Sequence, residues 1–285
     1  MPHGSLRMGE IEVTALCDLA NRFPRPMREA FPDVPADRWP GFRDRYPDTF
    51  DGQDGWLFHV HCYLIRTAHR TILVDTGVGP ASTIASRWIG AAGRLPDELD
   101  DAGVDPGGVD TVVITHLHLD HIGWGVTENG GEFSVTFPNA RYLINRAEWE
   151  GFRELGDEED RAAFDQQAVP LQRAGVLDLV EGDQPLTDAV TVVATPGHTP
   201  GHQSVWVEST AGSAMVSGDL TNHPVQVAEP NWRSRGDQDP SLAGWTRRQW
   251  LDRVESRRST LSTAHYPHPF SRLVRVDGTR YVEGS

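Results

Sequence analysis

Short runs of branched and aromatic residues alternate with longer amphipathic stretches along most of the chain. The short apolar runs predict strands, and the longer stretches predict helices. The predicted strands cover residues 10–17, 57–65, 71–75, 111–114, 141–144, 190–194, 203–207, 214–217, 260–264 and 272–276, and the predicted helices cover residues 81–102, 146–154, 160–174 and 240–258. This order of elements predicts an α/β protein in which helices lie outside two mixed β-sheets.

The segment 20–56 breaks this pattern because proline, arginine, aspartate and aromatic residues crowd it. A disordered arm is one interpretation, but so many aromatic side chains predict packing against the rest of the protein. We expect an ordered excursion that lies near a pocket or at a subunit interface, which makes a homodimer possible. The chain as a whole is expected to form a single domain over residues 1–285.

The charge of the chain excludes several classes of partner. Its 285 residues include 26 basic and 41 acidic side chains, for a net charge of −15, and every basic residue is arginine. Such an excess of acid repels nucleic acids and anionic membrane surfaces, so we expect neither as a partner. Without lysine, a Walker-type phosphate loop and a lysine Schiff base are excluded.

Two further features suggest where the protein works. The N-terminal residues lack the basic start and apolar run of a signal peptide, and no apolar stretch approaches the roughly 18 residues of a membrane span. Cys17 and Cys62 are too few for a disulfide framework, and we expect two reduced thiols. Together these features predict a cytoplasmic protein.

The strongest chemical signal is the run T-H-L-H-L-D-H, which directly follows the predicted strand 111–114. In an extended backbone, His116 and His118 point to the same side. Asp120 and His121 follow as the chain turns, so four candidate ligands stand close together in the sequence. Imidazole and carboxylate groups suit a metal ion such as zinc. Because it is costly to bury these groups unpaired, the run predicts a metal site.

Three later residues have the same character. His198 stands in the turn P-G-H-T-P-G-H, whose glycines and prolines let the backbone approach an ion closely. Asp219 follows the predicted strand 214–217, and His265 follows the predicted strand 260–264. Functional sites are often assembled in loops at the ends of strands, so we expect these residues to join the same site.

The H-x-H-x-D-H run and the later P-G-H-T-P-G-H, S-G-D and A-H-Y segments together resemble the metallo-β-lactamase superfamily from about residue 57 onward. The resemblance implies a four-layer αββα sandwich and a centre of two divalent metal ions. Zinc is expected first, with manganese, iron or cobalt as alternatives. In the implied arrangement one ion is held by His116, His118 and His198, the other by Asp120, His121 and His265, and Asp219 bridges both.

Further residues are candidates for supporting roles around this centre. Asp75, in the turn after the strand 71–74, matches a position that supports the ligands in the family, although capping of the turn is an equal alternative. His223 is a candidate for a similar supporting role. Trp124 and the aromatic residues of 20–56 are candidate pocket walls, with core packing as the alternative.

The segments FPNARYLINRAEWE (137–150) and GDLTNHPVQ (218–226) are similar to the branch that contains quorum-quenching lactonases and organophosphate-hydrolase-like enzymes. No tyrosine stands in a motif that matches the catalytic tyrosine of the best-known lactonases. That role is therefore not assigned to any residue of this sequence.

The resemblance implies a hydrolase in which a hydroxide bridging two metal ions attacks an ester bond, with Asp120 orienting the hydroxide as a catalytic residue. We expect a small-molecule substrate, in the first place a neutral lactone or carboxylic ester. A phosphotriester or a thioester is the alternative for the same site. The non-enzymatic alternative is a metal-stabilised binding protein.

Overall fold

Two large β-sheets organise residues 4–284, which the computed structural model describes apart from the side chains of Asn129 and Arg153. The single-domain prediction also included residues 1–3 and 285, which lie outside the described residues. The strands are β1 Ser5–Met8, β2 Ile11–Arg22, β3 Phe50–Asp51, β4 Gly55–Arg66, β5 Thr71–Val74, β6 Thr111–Val113, β7 Val126–Asn129, β8 Glu132–Val135, β9 Arg141–Asn145, β10 Leu177–Val180, β11 Gln184–Pro185, β12 Val190–Ala194, β13 Gln203–Ser209, β14 Gly212–Val216, β15 Thr260–Ser262, β16 Phe270–Val276 and β17 Thr279–Gly284. The helices are α1 Met27–Ala30, α2 Trp39–Arg45, α3 Ile84–Ile89, α4 Leu95–Asp101, α5 Arg146–Leu155, α6 Glu158–Ala163, α7 Val169–Arg173, α8 Val225–Ala228 and α9 Pro240–Arg257.

Both large sheets are mixed, as the sequence predicted. The first has the order β1-β2-β4-β5-β6-β9-β10, with β3 paired to β4, and the second runs from β11 to β17 in chain order. In the first sheet β5, β6, β9 and β10 are parallel neighbours, and in the second β14 and β15 are parallel. The remaining pairs are antiparallel, and β7 and β8 form a separate hairpin.

One of the two buried apolar clusters lies between the two sheets. Because side chains alternate along a strand, every second residue of each sheet faces the other sheet. Val13, Tyr63 and Val113 of the first sheet belong to one buried cluster with Val192 and Val205 of the second. Helices α4 and α5 pack against the first sheet and α9 against the second. The architecture is the αββα sandwich implied by the sequence motifs.

One predicted helix and several strand boundaries were wrong. The stretch 81–102 forms two helices, because α3 ends at Gly90 in the left-handed conformation, with φ of 81°. The next helix, α4, begins with a proline in its first turn. Strands β1, β7, β8, β10 and β17 were missed because half-exposed or fully exposed residues replace the apolar runs used to recognise strands.

The excursion expected for 20–56 begins later than predicted, since β2 continues to Arg22. The segment 23–54 therefore connects the paired strands β2 and β4 and contains α1 and α2. Two contacts join this segment to the loop before α9: Arg235 N donates to Ala30 O at 2.8 Å, and Arg233 N donates to the Asp33 carboxylate at 3.1 Å. The excursion is thus ordered by hydrogen bonds as well as by its buried aromatic residues.

The structure also bears on two expectations from the sequence, the membrane spans and the cysteines. Among residues 4–284, no helix combines the length and apolar character needed to cross a membrane. Cys17 and Cys62 are free thiols, as expected. Burial raises the pKa of the Cys62 thiol well above its ordinary value, so this side chain behaves as an apolar core group.

A fully buried carboxylate, Asp18 of β2, joins two loops and the first residue of α4. An irregularity in the pairing of β2 and β4 lies at this residue. The Asp18 carboxylate accepts hydrogen bonds from Val78 N at 2.6 Å, Leu95 N at 2.7 Å and Trp124 Nε1 at 2.9 Å. Trp124, a candidate pocket wall in the sequence, therefore anchors the chain just after the candidate ligand His121. Burial raises the pKa of Asp18 to about 6.

We compare the unfolding free energies of the wild type and of the Asp18→Asn variant. The difference, wild type minus variant, should fall as the pH rises from about 4 to about 6. The native state keeps the Asp18 proton up to the higher value, while the unfolded chain releases it near the ordinary pKa of 3.8. Folding therefore loses about 3 kcal/mol from this group across the window. Urea unfolding at several pH values measures the difference, and a constant or rising difference would contradict the assignment.

Candidate metal centre

The predicted ligands lie in loops at the carboxyl ends of strands. The H-x-H-x-D-H run follows β6, the turn with His198 follows β12, Asp219 follows β14, and His265 follows β15. Strand β15 is parallel to β14, and β12 runs in the same direction because two antiparallel pairings separate it from β14. The loops of the second sheet therefore emerge at one edge, where they meet the loop from β6.

The structure brings His116, His118, His198 and Asp219 into one group, with a possible ligand atom of each within 4.8 Å of the others. The Nδ1 atom of His118 lies 2.9 Å from His116 Nε2 and 2.9 Å from His198 Nε2. The Oδ2 atom of Asp219 lies 3.2 Å from His198 Nε2 and 3.7 Å from His116 Nε2. These atoms surround a single buried point.

Asp120, His121 and His265 form a second group. The Oδ2 atom of Asp120 lies 3.7 Å from His121 Nε2 and 3.8 Å from His265 Nε2. The other carboxylate oxygen of Asp219, Oδ1, lies 2.8 Å from His265 Nε2 and 3.4 Å from His121 Nε2. The two oxygens of Asp219 thus face different groups, and all the ligands predicted from the sequence lie together.

Four of the five histidines in the two groups are oriented by hydrogen bonds on their outward sides. An imidazole nitrogen beside a carboxylate or a carbonyl can only donate, which leaves the opposite nitrogen with its lone pair directed inward. The outward contacts are His121 Nδ1 to Asp75 Oδ2 at 2.8 Å, His198 Nδ1 to Asp237 Oδ1 at 2.9 Å, His265 Nδ1 to the His59 carbonyl at 2.8 Å and His116 Nδ1 to Thr115 Oγ1 at 3.0 Å.

The inward atoms fit metal ions. His121 Nε2 and Asp219 Oδ1 are buried and form no hydrogen bond with any described residue. Imidazole lone pairs and carboxylate oxygens that converge on a buried point repel one another unless a positive charge lies between them. Zinc and similar divalent ions take these nitrogen and oxygen ligands at just such sites. The donor set therefore suits one ion on each side of Asp219.

The environment of the histidines matches this chemistry. Burial lowers the pKa of His116 and of His118 well below the ordinary value, so both are neutral and can donate a lone pair. Burial acts in the same direction on His121, but neighbouring carboxylates outweigh it, Asp219 first, and hold its pKa well above the ordinary value. The carboxylates therefore attract positive charge to the second group.

Asp75 supports the centre from the end of β5. Its Oδ1 accepts a hydrogen bond from Thr115 N at 2.7 Å, and its Oδ2 accepts from Thr115 Oγ1 at 2.8 Å and from His121 Nδ1 at 2.8 Å. The residue has a φ of 62°, a left-handed conformation that aspartate tolerates in turns. Asp75 thus shapes its turn and also orients a candidate ligand.

His223 lies in an aromatic cage rather than in either group of candidate ligands. Its Nε2 is 2.9 Å from Thr49 Oγ1, and its ring centroid lies 5.4 Å from that of Phe31 and 5.7 Å from that of Phe50. Burial lowers the pKa of His223 to about 3, so the ring is neutral. In the structure the contact between His223 and Thr49 joins the loop that follows Asp219 to the excursion.

Sequence reasoning missed Asp237 and Arg247, which support His198. Asp237 accepts from His198 Nδ1 and forms an ion pair with the buried Arg247 at 3.2 Å. Arg247, on α9, also donates through Nε to the Leu220 carbonyl at 2.6 Å, next to Asp219. Burial acts to raise the pKa of Asp237, but Arg247, His198 and the backbone N–H of Ser234 together outweigh it and hold that pKa below the ordinary value. In the sequence both residues resemble ordinary surface charges, so no local signal identified them.

Two polar side chains hold Asp219 itself. Asn222 Nδ2 donates to Asp219 Oδ2 at 2.6 Å, and Asp219 N donates to His202 Nε2 at 3.0 Å. Burial lowers the pKa of His202 to about 3, which keeps this ring neutral and able to accept. The carboxylate between the two groups is therefore positioned by its backbone and by its side chain.

The centre lies at the base of a cleft of about 670 Å³. His118, Asp120, His198, Asp219 and His265 line its base. The aromatic wall consists of Phe23, Trp56, Phe58 and Trp88, with ring centroids of Phe23 within 5.2 Å of the other three. A small molecule can therefore reach both groups of candidate ligands along an apolar surface.

Comparison with known proteins agrees with this geometry. The model of the Metallo-beta-lactamase superfamily matches residues 55–265, a range that contains every candidate ligand. The protein belongs to the metallo-β-lactamase superfamily, as the sequence motifs suggested.

Among curated relatives, the N-acyl homoserine lactonase AiiA of Bacillus thuringiensis subsp. kurstaki is 28% identical over 177 residues. The match spans 57% of this chain and 64% of the relative, which is less than two thirds of the relative's length. The N-acyl homoserine lactonase AttM of Rhizobium radiobacter is 33% identical over 120 residues, which span 39% of this chain and 40% of AttM.

Solved structures share the fold over nearly the whole chain. The hydrolase AbOPH of the beta lactamase superfamily superposes with a TM-score of 0.83 at 24% identity and covers 99% of this chain and 97% of its own. AidC, a dizinc quorum-quenching lactonase in complex with the product N-hexanoyl-L-homoserine, superposes with a TM-score of 0.81 at 21% identity over the same shares. At these identities the likeness establishes the fold.

We expect Asp237→Asn to weaken metal binding at the His116, His118 and His198 group about 10- to 100-fold, since His198 loses its anionic acceptor. Competition with a chelator of known affinity measures the change. The matched control is Asp239→Asn, because Asp239 caps α9 through Leu242 N at 2.9 Å and contacts no candidate ligand side chain among the described residues. Equal affinities in the two variants would show that Asp237 does not support the metal ion.

Proposed function

We propose that this protein is a metal-dependent hydrolase that cleaves an ester bond in a neutral lactone or carboxylic ester. The observation that carries the proposal is the position of Asp219, whose two oxygens face two groups of inward-directed histidine nitrogens at the base of an open cleft. A purely structural metal site would be closed on all sides, whereas catalytic sites remain open to substrate. The cleft therefore favours an enzyme over a metal-stabilised binding protein.

Two divalent ions, zinc in the first place, would supply a Lewis acid for a carbonyl oxygen and would lower the pKa of the attacking water. Asp120 would orient the attacking water, since its carboxylate lines the cleft and retains 13% exposure. The ligand side chains would hold the ions: His116, His118 and His198 on one side, His121 and His265 with Asp120 on the other, and Asp219 on both sides.

The lining of the cleft supports a neutral and partly apolar substrate. The aromatic wall offers an apolar surface for an acyl or ring substituent. Some rim charges are already paired, since Arg28 contacts Asp54 and Arg233 contacts Asp33. The rim carries equal numbers of basic and acidic side chains. These are Arg25, Arg28, Arg233 and Arg235, and Glu29, Asp157, Glu159 and Asp160. Such a rim gives a polyanion little advantage over a neutral substrate.

We expect elemental analysis to find close to two divalent ions per chain, zinc first, in fully active protein. Asp219→Ala should lower the occupancy of both, because this carboxylate faces both groups and offsets the repulsion between two cations. The exposed Asp188→Ala serves as the control and should keep both ions. One ion per chain in fully active wild type, or full occupancy in Asp219→Ala, would contradict the two-ion centre.

We expect the metal-loaded protein to prefer lactones or carboxylic esters in a matched panel that also contains thioesters and phosphotriesters. The measurement is kcat/KM for each substrate, with metal-free protein as the control. A phosphotriester or thioester preferred by more than about a hundredfold, about 2.7 kcal/mol of transition-state binding, would overturn the substrate class while leaving the metal centre intact. A loaded protein inactive on every class would favour the binding-protein alternative.

A further inference from the structure

One buried carboxylate contacts two loops that carry candidate ligands. Glu148 lies in the first turn of α5, and its side chain is fully buried. Its Oε1 accepts from Leu117 N at 2.8 Å, and its Oε2 accepts from Gly201 N at 2.9 Å. Each oxygen of a single side chain therefore holds the backbone of a different loop.

The two loops come from different sheets. Leu117 stands between His116 and His118 in the loop after β6 of the first sheet. Gly201 stands three residues after His198 in the turn after β12 of the second sheet. The imidazoles of the first group are contributed by exactly these two loops, so their separation depends on how the loops are held together.

The contact is close as well as polar. A Cβ atom at position 201 would lie 2.2 Å from Glu148 N and 2.6 Å from Glu148 Cβ, so only glycine lets the turn approach α5 this closely. A Cβ at Gly151, one turn further along α5, would lie 3.2 Å from Pro200 Cγ. The helix thus packs directly against the turn with His198, and the carboxylate of Glu148 links it to the other loop.

We propose that Glu148 is a positioning residue that sets the distance between the His116 and His118 pair and His198, and thereby the metal affinity of that group. Hydrogen bonds from neutral donors to a charged acceptor are strong, and two of them restrain two backbones at once. The second group contains no residue from the turn with His198. The loop of Leu117 also carries Asp120 and His121, but only the first group depends on the spacing between this loop and the turn with His198, so we expect Glu148 to act mainly on that group. This inference rests on the metal centre of the proposed function.

The experiment measures zinc affinity by competition with a chelator in single-site backgrounds. His121→Ala leaves the first group as the intact site, and His118→Ala leaves the second. We expect Glu148→Gln to weaken zinc binding at least tenfold in the His121→Ala background, because an amide has one acceptor oxygen for two donors. In the His118→Ala background we expect the same substitution to change the affinity less than twofold.

Two further variants separate positioning from general effects. Glu98→Gln removes another buried carboxylate that accepts a backbone hydrogen bond, from Cys17 N at 3.1 Å, and should leave both zinc affinities unchanged. Glu148→Asp keeps the charge but is shorter by one methylene, so it should also weaken the first group selectively. It gives the same comparison if Glu148→Gln fails to fold.

The outcomes are distinct. Equal weakening of both sites by Glu148→Gln, with normal binding in Glu148→Asp, would mean that only the charge matters and would overturn the positioning role. A lower melting temperature of Glu148→Gln with unchanged zinc affinity at both sites would show a structural role alone and would also overturn it. If the wild type bound no divalent ion, the proposed metal centre itself would fail.

Discussion

The convergence of histidine lone pairs and carboxylate oxygens on two buried points is the constraint on which the rest of this structure depends. Asp219 faces both points, and neither of its neighbouring groups is stable in a buried site without positive charge. Strands from both sheets must end at one edge for these atoms to meet. The sandwich is therefore the means by which loops far apart in the sequence share one site.

A layer of buried acidic side chains behind the histidines keeps this convergence in place. Asp75, Asp237 and Glu148 come from three separate parts of the chain, and each accepts hydrogen bonds from a candidate ligand or from its loop. Buried anions are costly in isolation, but they are favoured near cations and satisfied donors. The same negative charge that orients the ligands therefore also favours metal ions at the centre.

The excursion between β2 and β4 completes the site from the solvent side. Its residue Phe23 joins Trp56, Phe58 and Trp88 in an aromatic wall, and Phe58 stacks on His265 with ring centroids 4.2 Å apart. The excursion also contacts the loop that carries Asp237. The excursion thus contributes to the aromatic wall of the cleft and also contacts the loop whose Asp237 orients the candidate ligand His198.

The sequence by itself determined the class of fold and the candidate ligands, because strand periodicity and the H-x-H-x-D-H spacing are local and depend on few residues. The tertiary structure alone decided the roles of Asp237, Arg247, Glu148 and Asp18. In the sequence these are charged residues of ordinary appearance, and the hydrogen-bond partners that define their roles lie 10 to 106 positions away. Whether a carboxylate is a solvated surface group or a buried acceptor depends on what packs around it, and only the folded chain determines that.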